Sequence, residues 1–194
     1  MRIGVFGGTF DPPHVGHLLL ASDAREALQL DRLIFVPVGV QPFKVETPPV
    51  ASGQDRLEMV RLAIGNDPNY VVDDTEITRK GLSFTVDTLE HFAGRHVGSQ
   101  FFFLLGQDAA AGFRQWRNPE RILEIATLAL MMRSGSEDAV GWRNFEGLVT
   151  VSTRRVDVSS TEIRERLQAG KSIKGFVPES VEQFIEARGL YRSG

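Results

Sequence analysis

The sequence predicts an α/β fold in which a doubly wound, mostly parallel sheet carries helices on both faces. Short apolar runs alternate with segments of helical periodicity, an order typical of parallel sheets. Residues 2–6 and 33–37 are such runs, and residues 18–30 between them repeat apolar side chains every three or four positions. The first forty residues therefore predict a right-handed βαβ unit.

The same patterns continue along the rest of the chain. Four more apolar runs predict strands, and the run 101–105 suits the centre of the sheet. These runs are 70–73, 101–105, 127–132 and 148–152. Helix starts are predicted where a capping residue or a proline precedes helical spacing. Those residues are Ser52, Ser83 or Thr85, Asn118, Ser159 and Pro178.

Residues 1–194 are predicted to form a single domain. Gly39 and the prolines at 42, 48 and 49 exclude regular structure at about 38–52, so we predict a lid loop there. A C-terminal helical segment is predicted at about 159–190, with Gly170 and Gly189 ending its helices. Residues 133–145 are predicted to be irregular.

The composition is that of a globular protein, with 42% apolar and 24% charged residues. The net charge of −3 argues against a nucleic-acid partner. With no cysteine there is no thiolate chemistry, and a cytoplasmic location is expected.

No signal-peptide pattern precedes the first strand, and the apolar run 122–132 is too short to cross a membrane. The last helices leave room for a homo-oligomer, without a specific signal for one.

Residues 7–17, GGTFDPPHVGH, carry the most informative motif. A strand ends there in two glycines, and a helix follows with His14 and His17 in its first turn. Backbone N–H groups beside glycines can approach a phosphate closely, and a helix N-terminus attracts anions. The motif is neither a P-loop nor a dinucleotide fingerprint. It predicts a phosphate-binding turn with two imidazoles aimed into it.

A zinc site is the alternative for the two histidines, which lie three positions apart. Zinc requires three or four protein ligands. The chain offers no cysteine, and its other histidines are His91 and His96. We therefore predict no protein-bound metal.

Residues 158–164, VSSTEIR, form a second informative stretch. Ser159 and Glu162 make a capping box, and Ser160 shares a helix face with Arg164. Free amides, hydroxyls and a guanidinium at one helix start can bind a polyphosphate. A capping serine and a surface arginine without any ligand are the alternative.

Four other positions have both a functional and a structural interpretation. Lys44 follows the second strand and is either a phosphate ligand or a solvated surface residue. Asp108 follows a strand end, where a carboxylate can hold ribose, or else caps a helix. Trp116 either stacks on a planar ring or belongs to the core. The helix start near Thr85 either binds an anion or is an ordinary cap.

The first motif resembles the signature of the nucleotidyltransferase superfamily, which has a Rossmann-like fold. Every specified position of its signature GGTFDPxHxGH is present in residues 7–17. Together with 158–164 and the lesser landmarks, the chain resembles bacterial nicotinate mononucleotide adenylyltransferases along its length. Those landmarks are Lys44, 81–85, Gly106 with Asp108, Trp116 and 189–191. Two residues depart from the family pattern: Phe43 replaces a possible lid histidine, and Gln107 stands where the family usually has a small residue.

The resemblance implies transfer of AMP from ATP to nicotinate mononucleotide, giving deamido-NAD and pyrophosphate. Mg²⁺ would be bound mainly through the ATP phosphates. Catalytic roles would fall to His14, His17, Lys44 and Arg164. ATP would be bound by Gly7, Gly8, Thr9, Phe10, His14, His17, Gly106, Asp108, Ser159, Ser160, Thr161 and Arg164. Nicotinate mononucleotide would be bound by Thr9, Lys44, Ser83, Phe84, Thr85 and Trp116.

Two alternatives remain open from the sequence. The acceptor could be nicotinamide mononucleotide or phosphopantetheine, because the first motif is shared across the superfamily. A non-catalytic ATP sensor is the alternative from another functional class. Retention of both histidines and Arg164 argues against a sensor, since binding alone does not require that set.

Overall fold

A computed structural model describes residues 1–42, 46–79, 81–133 and 147–192 of the chain. Its centre is a six-stranded parallel sheet with the strand order β3-β2-β1-β4-β5-β6. The strands are β1 (Arg2–Gly8), β2 (Arg32–Pro37), β3 (Tyr70–Val72), β4 (Gln100–Gly106), β5 (Ala126–Arg133) and β6 (Leu148–Thr153). The strand order reverses between β1 and β4, and ligands bind at such switch points in open α/β sheets.

Helices cover both faces of this sheet, as the sequence predicts. They are α1 (Val15–Ala27), α2 (Gly53–Ile64), α3 (Thr75–Thr78), α4 (Thr85–Arg95), α5 (Gln107–Ala111), α6 (Pro119–Ile125), α7 (Ser160–Gln168) and α8 (Glu179–Arg188). Side chains of α1 and α2 pack on one face of the sheet with Phe35 and Leu104. Side chains of α4, α5 and α6 pack on the other face with Val5 and Phe103. Alternate residues of each central strand thus enter opposite cores, which explains their continuous apolar runs.

A third apolar cluster joins the C-terminal helices to α2. Met59 of α2 packs there with Ile163 of α7, Val181 and Ile185 of α8, and Tyr191 beyond α8. Arg188 forms an ion pair with Asp55 at 3.0 Å, which also holds α8 against α2. This packing brings residues near the end of the chain beside the loop after β1.

The predicted strands and most predicted helix starts are confirmed. Ser52 accepts a hydrogen bond from the Asp55 N–H, and Ser159 accepts one from the Glu162 N–H. Gly170 and Gly189 have positive φ, as the helix ends require. In the predicted irregular segment 133–145, residues 134–145 lie outside the described residues.

The predicted cap of α4 is wrong. Phe84 occupies that position with extended backbone and makes no side-chain capping bond, whereas Thr85 is already helical. The cause is the preceding chain, because the Ser83 N–H donates to the Val40 carbonyl and Leu82 forms an isolated β-bridge with Val40, so the helix begins only after this contact. The short helix α3 and the 3₁₀ turn Phe113–Gln115 have no counterpart in the sequence prediction.

The described residues contain no helix with both the length and the apolar character needed to span a bilayer.

Candidate functional site

The loop after β1 lies at the carboxyl edge of the sheet and leads into α1. Phe10 has a positive φ of 50°, and its buried ring folds back over Gly8. A Cβ at position 8 would lie 2.7 Å from that ring, so only glycine fits there. Gly16 is also crowded, because a Cβ there would lie 2.9 Å from His14 Nδ1. The two glycines therefore permit the loop to pack tightly around the aromatic ring and the imidazole.

His14 and His17 are in contact within this loop. Their ring centroids are 3.8 Å apart, and the His14 N–H donates to His17 Nδ1 at 3.2 Å. Burial lowers the pKa of His14 to about 4. Burial, together with the neighbouring His14, lowers the pKa of His17 well below its usual value. A neutral His17 that accepts at Nδ1 carries its proton on Nε2, which makes that atom a hydrogen-bond donor.

The N-terminus of α7 is docked against the same loop. Ser160 Oγ donates to the Pro12 carbonyl at 2.8 Å, and Arg164 Nη1 donates to the Asp11 carbonyl at 2.8 Å. Arg164 Nη2 lies 3.2 Å from Thr161 Oγ1. The bonds from Ser160 and Arg164 to the loop join residues about 150 positions apart in the sequence. They place the two predicted phosphate-binding segments side by side.

A polar cavity of about 510 Å³ lies between these segments. Its walls come from the loop after β1, from α7 and from the two described parts of the predicted lid. Among its lining residues are Thr9, Phe10, His17, Gln41, Val50, Ser160, Thr161 and Arg164. Hydroxyl, imidazole and guanidinium groups at one cavity suit an anionic ligand.

A second, more apolar cavity of about 480 Å³ lies on the other side of the β1 end. Thr9, Val38 and Gln41 border both cavities, so the two are adjacent. The lining of the second cavity includes Gly7, Gly8, Ser83, Phe84, Thr85, Gly106, Trp116 and Arg117. An aromatic ring beside a helix start can hold a planar group that carries a negative charge.

Trp116 is held in place by other aromatic side chains. Its ring packs edge-on against Phe103 at 5.9 Å and lies 5.5 Å from Phe113. Arg117 lies over the Phe84 ring at 4.7 Å and 3.6 Å from the Asp87 carboxylate. The cavity therefore has a rigid aromatic wall and a cation at its edge.

Glu76 is a buried carboxylic acid in the wall of this second cavity. It accepts a hydrogen bond from Thr88 Oγ1 at 2.7 Å. Burial raises its pKa, while Thr88, Ser83, Arg79 and the Gly39 N–H act in the opposite direction. Gly39 has no room for a Cβ, which would clash with the Glu76 carbonyl oxygen. Glu76 thus connects the start of the predicted lid to α4.

The structure groups most, though not all, of the predicted site residues. His14 is buried beside His17 and contacts the loop rather than lining the polar cavity. Gly106, assigned to ATP from the sequence, lines the cavity that contains the predicted acceptor residues. Asp108 is exposed on α5 and Ser159 is exposed as the α7 cap, and neither lines these two cavities. Lys44, with its neighbour Phe43, lies outside the described residues.

Three functional candidates were missed from the sequence: Asp11, Arg56 and Tyr191. The Asp11 carboxylate is buried and accepts from the N–H groups of Val50 and Ala51 and from the Tyr191 hydroxyl. Its place within the phosphate motif was a signal for a role.

Arg56 is a buried guanidinium on α2. It donates to the Thr9 carbonyl at 2.7 Å and to the Val38 carbonyl at 2.8 Å, and burial lowers its pKa. An arginine four positions before the buried Val60 faces inward, and that spacing could have identified it. Arg56 therefore fixes two of the residues that border both cavities.

The donor set around the polar cavity fits phosphate oxygens better than a metal ion. Within the described ranges, no group of three or more His, Asp or Glu side chains is arranged to hold a metal. The Asp11 carboxylate is already engaged by three donors, and its neighbours Ser160, Thr161 and Arg164 present donors. A divalent cation at this cavity would accordingly be carried by its ligand's phosphates.

Comparisons with known proteins agree with this geometry. A model of the cytidylyltransferase-like family matches residues 5–166. The chain is 42% identical to a protein of Gemmatimonas aurantiaca named probable nicotinate-nucleotide adenylyltransferase, over 99% of this chain and 93% of that one. It is 44% identical to the protein of the same name in Thermus thermophilus, over 99% and 100%.

The fold is also that of a solved structure. Plasmodium falciparum nicotinic acid mononucleotide adenylyltransferase, complexed with NaAD, superposes with a TM-score of 0.78 at 20% sequence identity. The match covers 98% of this chain and 97% of that one.

Proposed function

The chain belongs to the cytidylyltransferase-like family and, within it, to the nicotinate-nucleotide adenylyltransferases, and we propose from this that it transfers AMP from ATP to nicotinate mononucleotide. The products are deamido-NAD and pyrophosphate, in the biosynthesis of NAD. The observation that supports this most is the pair of adjacent cavities, one polar and one apolar, that share Thr9.

In this proposal the polar cavity holds the ATP phosphates and the apolar cavity holds the nicotinate ring. The acceptor phosphate attacks the α-phosphorus of ATP, a new P–O bond forms, and the bond from the α-phosphorus to the bridging oxygen breaks as pyrophosphate leaves. A phosphate monoester is itself the nucleophile, so the protein's work is alignment and charge stabilisation.

His17 is the residue we assign to the reacting phosphate. Its ring lines the polar cavity. Because Nδ1 accepts from the His14 N–H, the proton lies on Nε2, which can donate to a ligand. A neutral imidazole keeps that donor over the whole neutral pH range, because burial lowers its pKa. His14 contributes by supporting the ring of His17 and fixing its tautomer.

Arg164, Ser160 and Thr161 are proposed to bind the β- and γ-phosphates, and Lys44 remains proposed for the lid side. Mg²⁺, carried by the ATP phosphates, would neutralise part of their charge and favour departure of pyrophosphate. No protein carboxylate needs to ligate it in this arrangement. The location proposed is the cytoplasm, supported by the absence of cysteine, and a homo-oligomer stays a prediction.

The preference for the acid over the amide has a physical basis in the apolar cavity. Nicotinate carries a carboxylate, which the N–H groups in the first turn of α4 favour. Arg117, whose charge is partly offset by Asp87 at 3.6 Å, lies at the edge of the cavity, and Trp116 offers a face for the pyridine ring. A nicotinamide group would gain less from either charge effect.

One assay tests the proposal: release of pyrophosphate from Mg·ATP by the purified protein with each acceptor in turn. We expect rapid release with nicotinate mononucleotide and slow release with nicotinamide mononucleotide or phosphopantetheine. Faster turnover of either of the latter would reassign the acceptor. If no acceptor supports release while ATP still binds, the protein is an ATP sensor.

A further inference from the structure

We infer that Tyr191 is a positioning residue of the ATP site, acting through the Asp11 carboxylate on Arg164 and on the backbone of residues 50–51. The inference rests on the proposed function, because it assigns ATP to the polar cavity. It makes the last residues of the chain part of the active-site structure, although Tyr191 itself does not line that cavity.

Tyr191 is separated from Asp11 by 180 positions, yet its hydroxyl donates to Asp11 Oδ1 at 2.7 Å. Only 6% of Tyr191 is exposed. Burial, and next the Asp11 charge, raise the pKa of the Tyr191 hydroxyl, which therefore stays protonated as a donor. A short hydrogen bond from a buried hydroxyl to a carboxylate is among the stronger interactions in a protein.

The backbone around Tyr191 is held in an unfavourable conformation for this contact. Gly189 and Tyr191 both have positive φ, 61° and 63°, and a tyrosine rarely adopts that region. For a residue other than glycine this conformation is energetically unfavourable, because the Cβ atom crowds the following carbonyl oxygen. Such a conformation persists where surrounding contacts determine it. Here those contacts are the Asp11 bond and the packing of the ring in the C-terminal apolar cluster.

Asp11 links Tyr191 to the walls of the polar cavity through its other contacts. Its Oδ1 also accepts from the Ala51 N–H at 3.0 Å, and its Oδ2 accepts from the Val50 N–H at 2.7 Å. Arg164 Nη1 lies 4.0 Å from Oδ2 and donates to the Asp11 carbonyl. Donors on both oxygens fix the orientation of a carboxylate, and loss of the Tyr191 donor weakens that constraint.

A purely structural role makes a different prediction from a positioning role. If the hydroxyl only anchored the chain end to α2, its removal would lower thermal stability and leave substrate binding unchanged. If it positions Asp11, its removal weakens ATP binding, because Val50 and Arg164 both line the cavity that would hold the phosphates. The acceptor cavity does not include Asp11, Val50 or Arg164, so acceptor binding should be unaffected.

The chain supplies a matched control, since Tyr70 is its one other tyrosine. Tyr70 lies on the edge strand β3 and lines neither cavity. Tyr191→Phe keeps the ring and removes only the hydroxyl, as does Tyr70→Phe. We expect Tyr191→Phe to raise the Kd and the KM for Mg·ATP roughly fivefold to tenfold. This is the effect expected if part of the free energy of one charge-assisted hydrogen bond contributes to ATP binding. The KM for nicotinate mononucleotide should stay within about twofold for both variants, as should all ATP constants of Tyr70→Phe.

Calorimetry with Mg·ATP in the absence of acceptor gives the Kd directly. A Tyr191→Phe protein that melts lower yet binds ATP like the Tyr70→Phe control would overturn the inference and leave the proposed function intact. Failure of the wild-type protein itself to bind ATP would instead overturn the proposed function. The double variant Asp11→Asn/Tyr191→Phe should bind ATP no more weakly than Asp11→Asn alone, and additive losses would contradict action through Asp11.

A measurement on the unsubstituted chain covers the case in which the variants fold poorly. Labelling with 3-fluorotyrosine gives two fluorine resonances, one for each tyrosine. Because coupling between two sites is reciprocal, Mg·ATP should shift the Tyr191 resonance and leave that of Tyr70 in place. An unchanged Tyr191 resonance at saturating ATP would overturn the inference.

Discussion

At the scale of single residues, the candidate site contains two histidines in contact, and burial lowers the pKa of both. His17 presents a donor without a full charge, so it can bind a phosphate oxygen without the solvation cost of a buried imidazolium. His14 holds that donor in the required tautomer through its backbone N–H. In the proposed mechanism the pair would act as one unit, with His17 toward the phosphate and His14 behind it.

We predict that His17→Ala lowers kcat about 10²- to 10³-fold, the usual cost of one preorganised donor to a developing charge. The KM for ATP should change much less. His91→Ala is the matched control, because His91 is exposed on α4 and should leave kcat unaltered. Steady-state pyrophosphate release measures both, and a folded His17→Ala protein with full kcat would refute the assignment.

The low pKa of His14 predicts an acid-sensitive fold in the ligand-free protein. Its pKa is about 4 in the folded state and near 6.5 in the unfolded state, so the unfolded chain binds the proton first as the pH falls. Stability should therefore decline between pH 6.5 and 4, by about 2 kcal/mol from this residue between pH 7.5 and pH 5. Urea unfolding at both pH values should show a smaller decline for His14→Gln than for wild type. Equal declines would show that His14 is not the group responsible.

At the scale of elements, α7 contributes its N-terminus and the side chains of Ser160, Thr161 and Arg164 to the polar cavity. Its orientation is set by two donors to loop carbonyls, from Ser160 and Arg164, and by Ile163 in the C-terminal apolar cluster. A helix end in this position adds its amides and dipole to the guanidinium. Small shifts of α7 should therefore affect ATP more than the acceptor.

Arg164→Ala is predicted to raise the KM for ATP roughly 10- to 100-fold, since a charged group with several donors is lost. Arg166→Ala on the same helix is the control, because Arg166 instead lies over the Phe176 ring at 4.5 Å. Initial rates at varied ATP and fixed acceptor give both values. Equal effects of the two substitutions would mean that Arg164 acts through general charge alone.

At the scale of the whole molecule, the strand order places two cavities on either side of the end of β1. One cavity draws on α7 and the loop after β1, and the other on α4 and the segment after β4. Arg56 fixes Thr9 and Val38, which border both. Two substrates could thus bind to separate parts of the chain and meet at a shared edge.

Hydrogen exchange can test this division. We expect Mg·ATP to slow amide exchange at residues 8–17 and 159–164, and nicotinate mononucleotide to slow it at residues 83–88, because each ligand stabilises the segment it contacts. Mass spectrometry of the free protein and of each binary complex gives the comparison. Protection of the same segment alone by both ligands would contradict the assignment of the cavities.

Local sequence patterns were sufficient to predict the strands and most helix starts, and to identify the two motifs that we propose bind phosphate. These follow from residues close together in the chain, such as the Ser159 cap or the apolar run of β4, and local patterns report them directly. The α4 start was wrong because Ser83 pairs with Val40, more than forty positions away.

The side chains that surround the two motifs could be identified only from the folded chain. Local sequence does not reveal the partners of Asp11, Arg56 and Tyr191, because their contacts span 39 to 180 positions. Such contacts depend on how α2, α7 and α8 pack around one apolar cluster. Burial then removes water from the polar groups that meet there, so each must find a partner within the protein, and that requirement fixes their geometry.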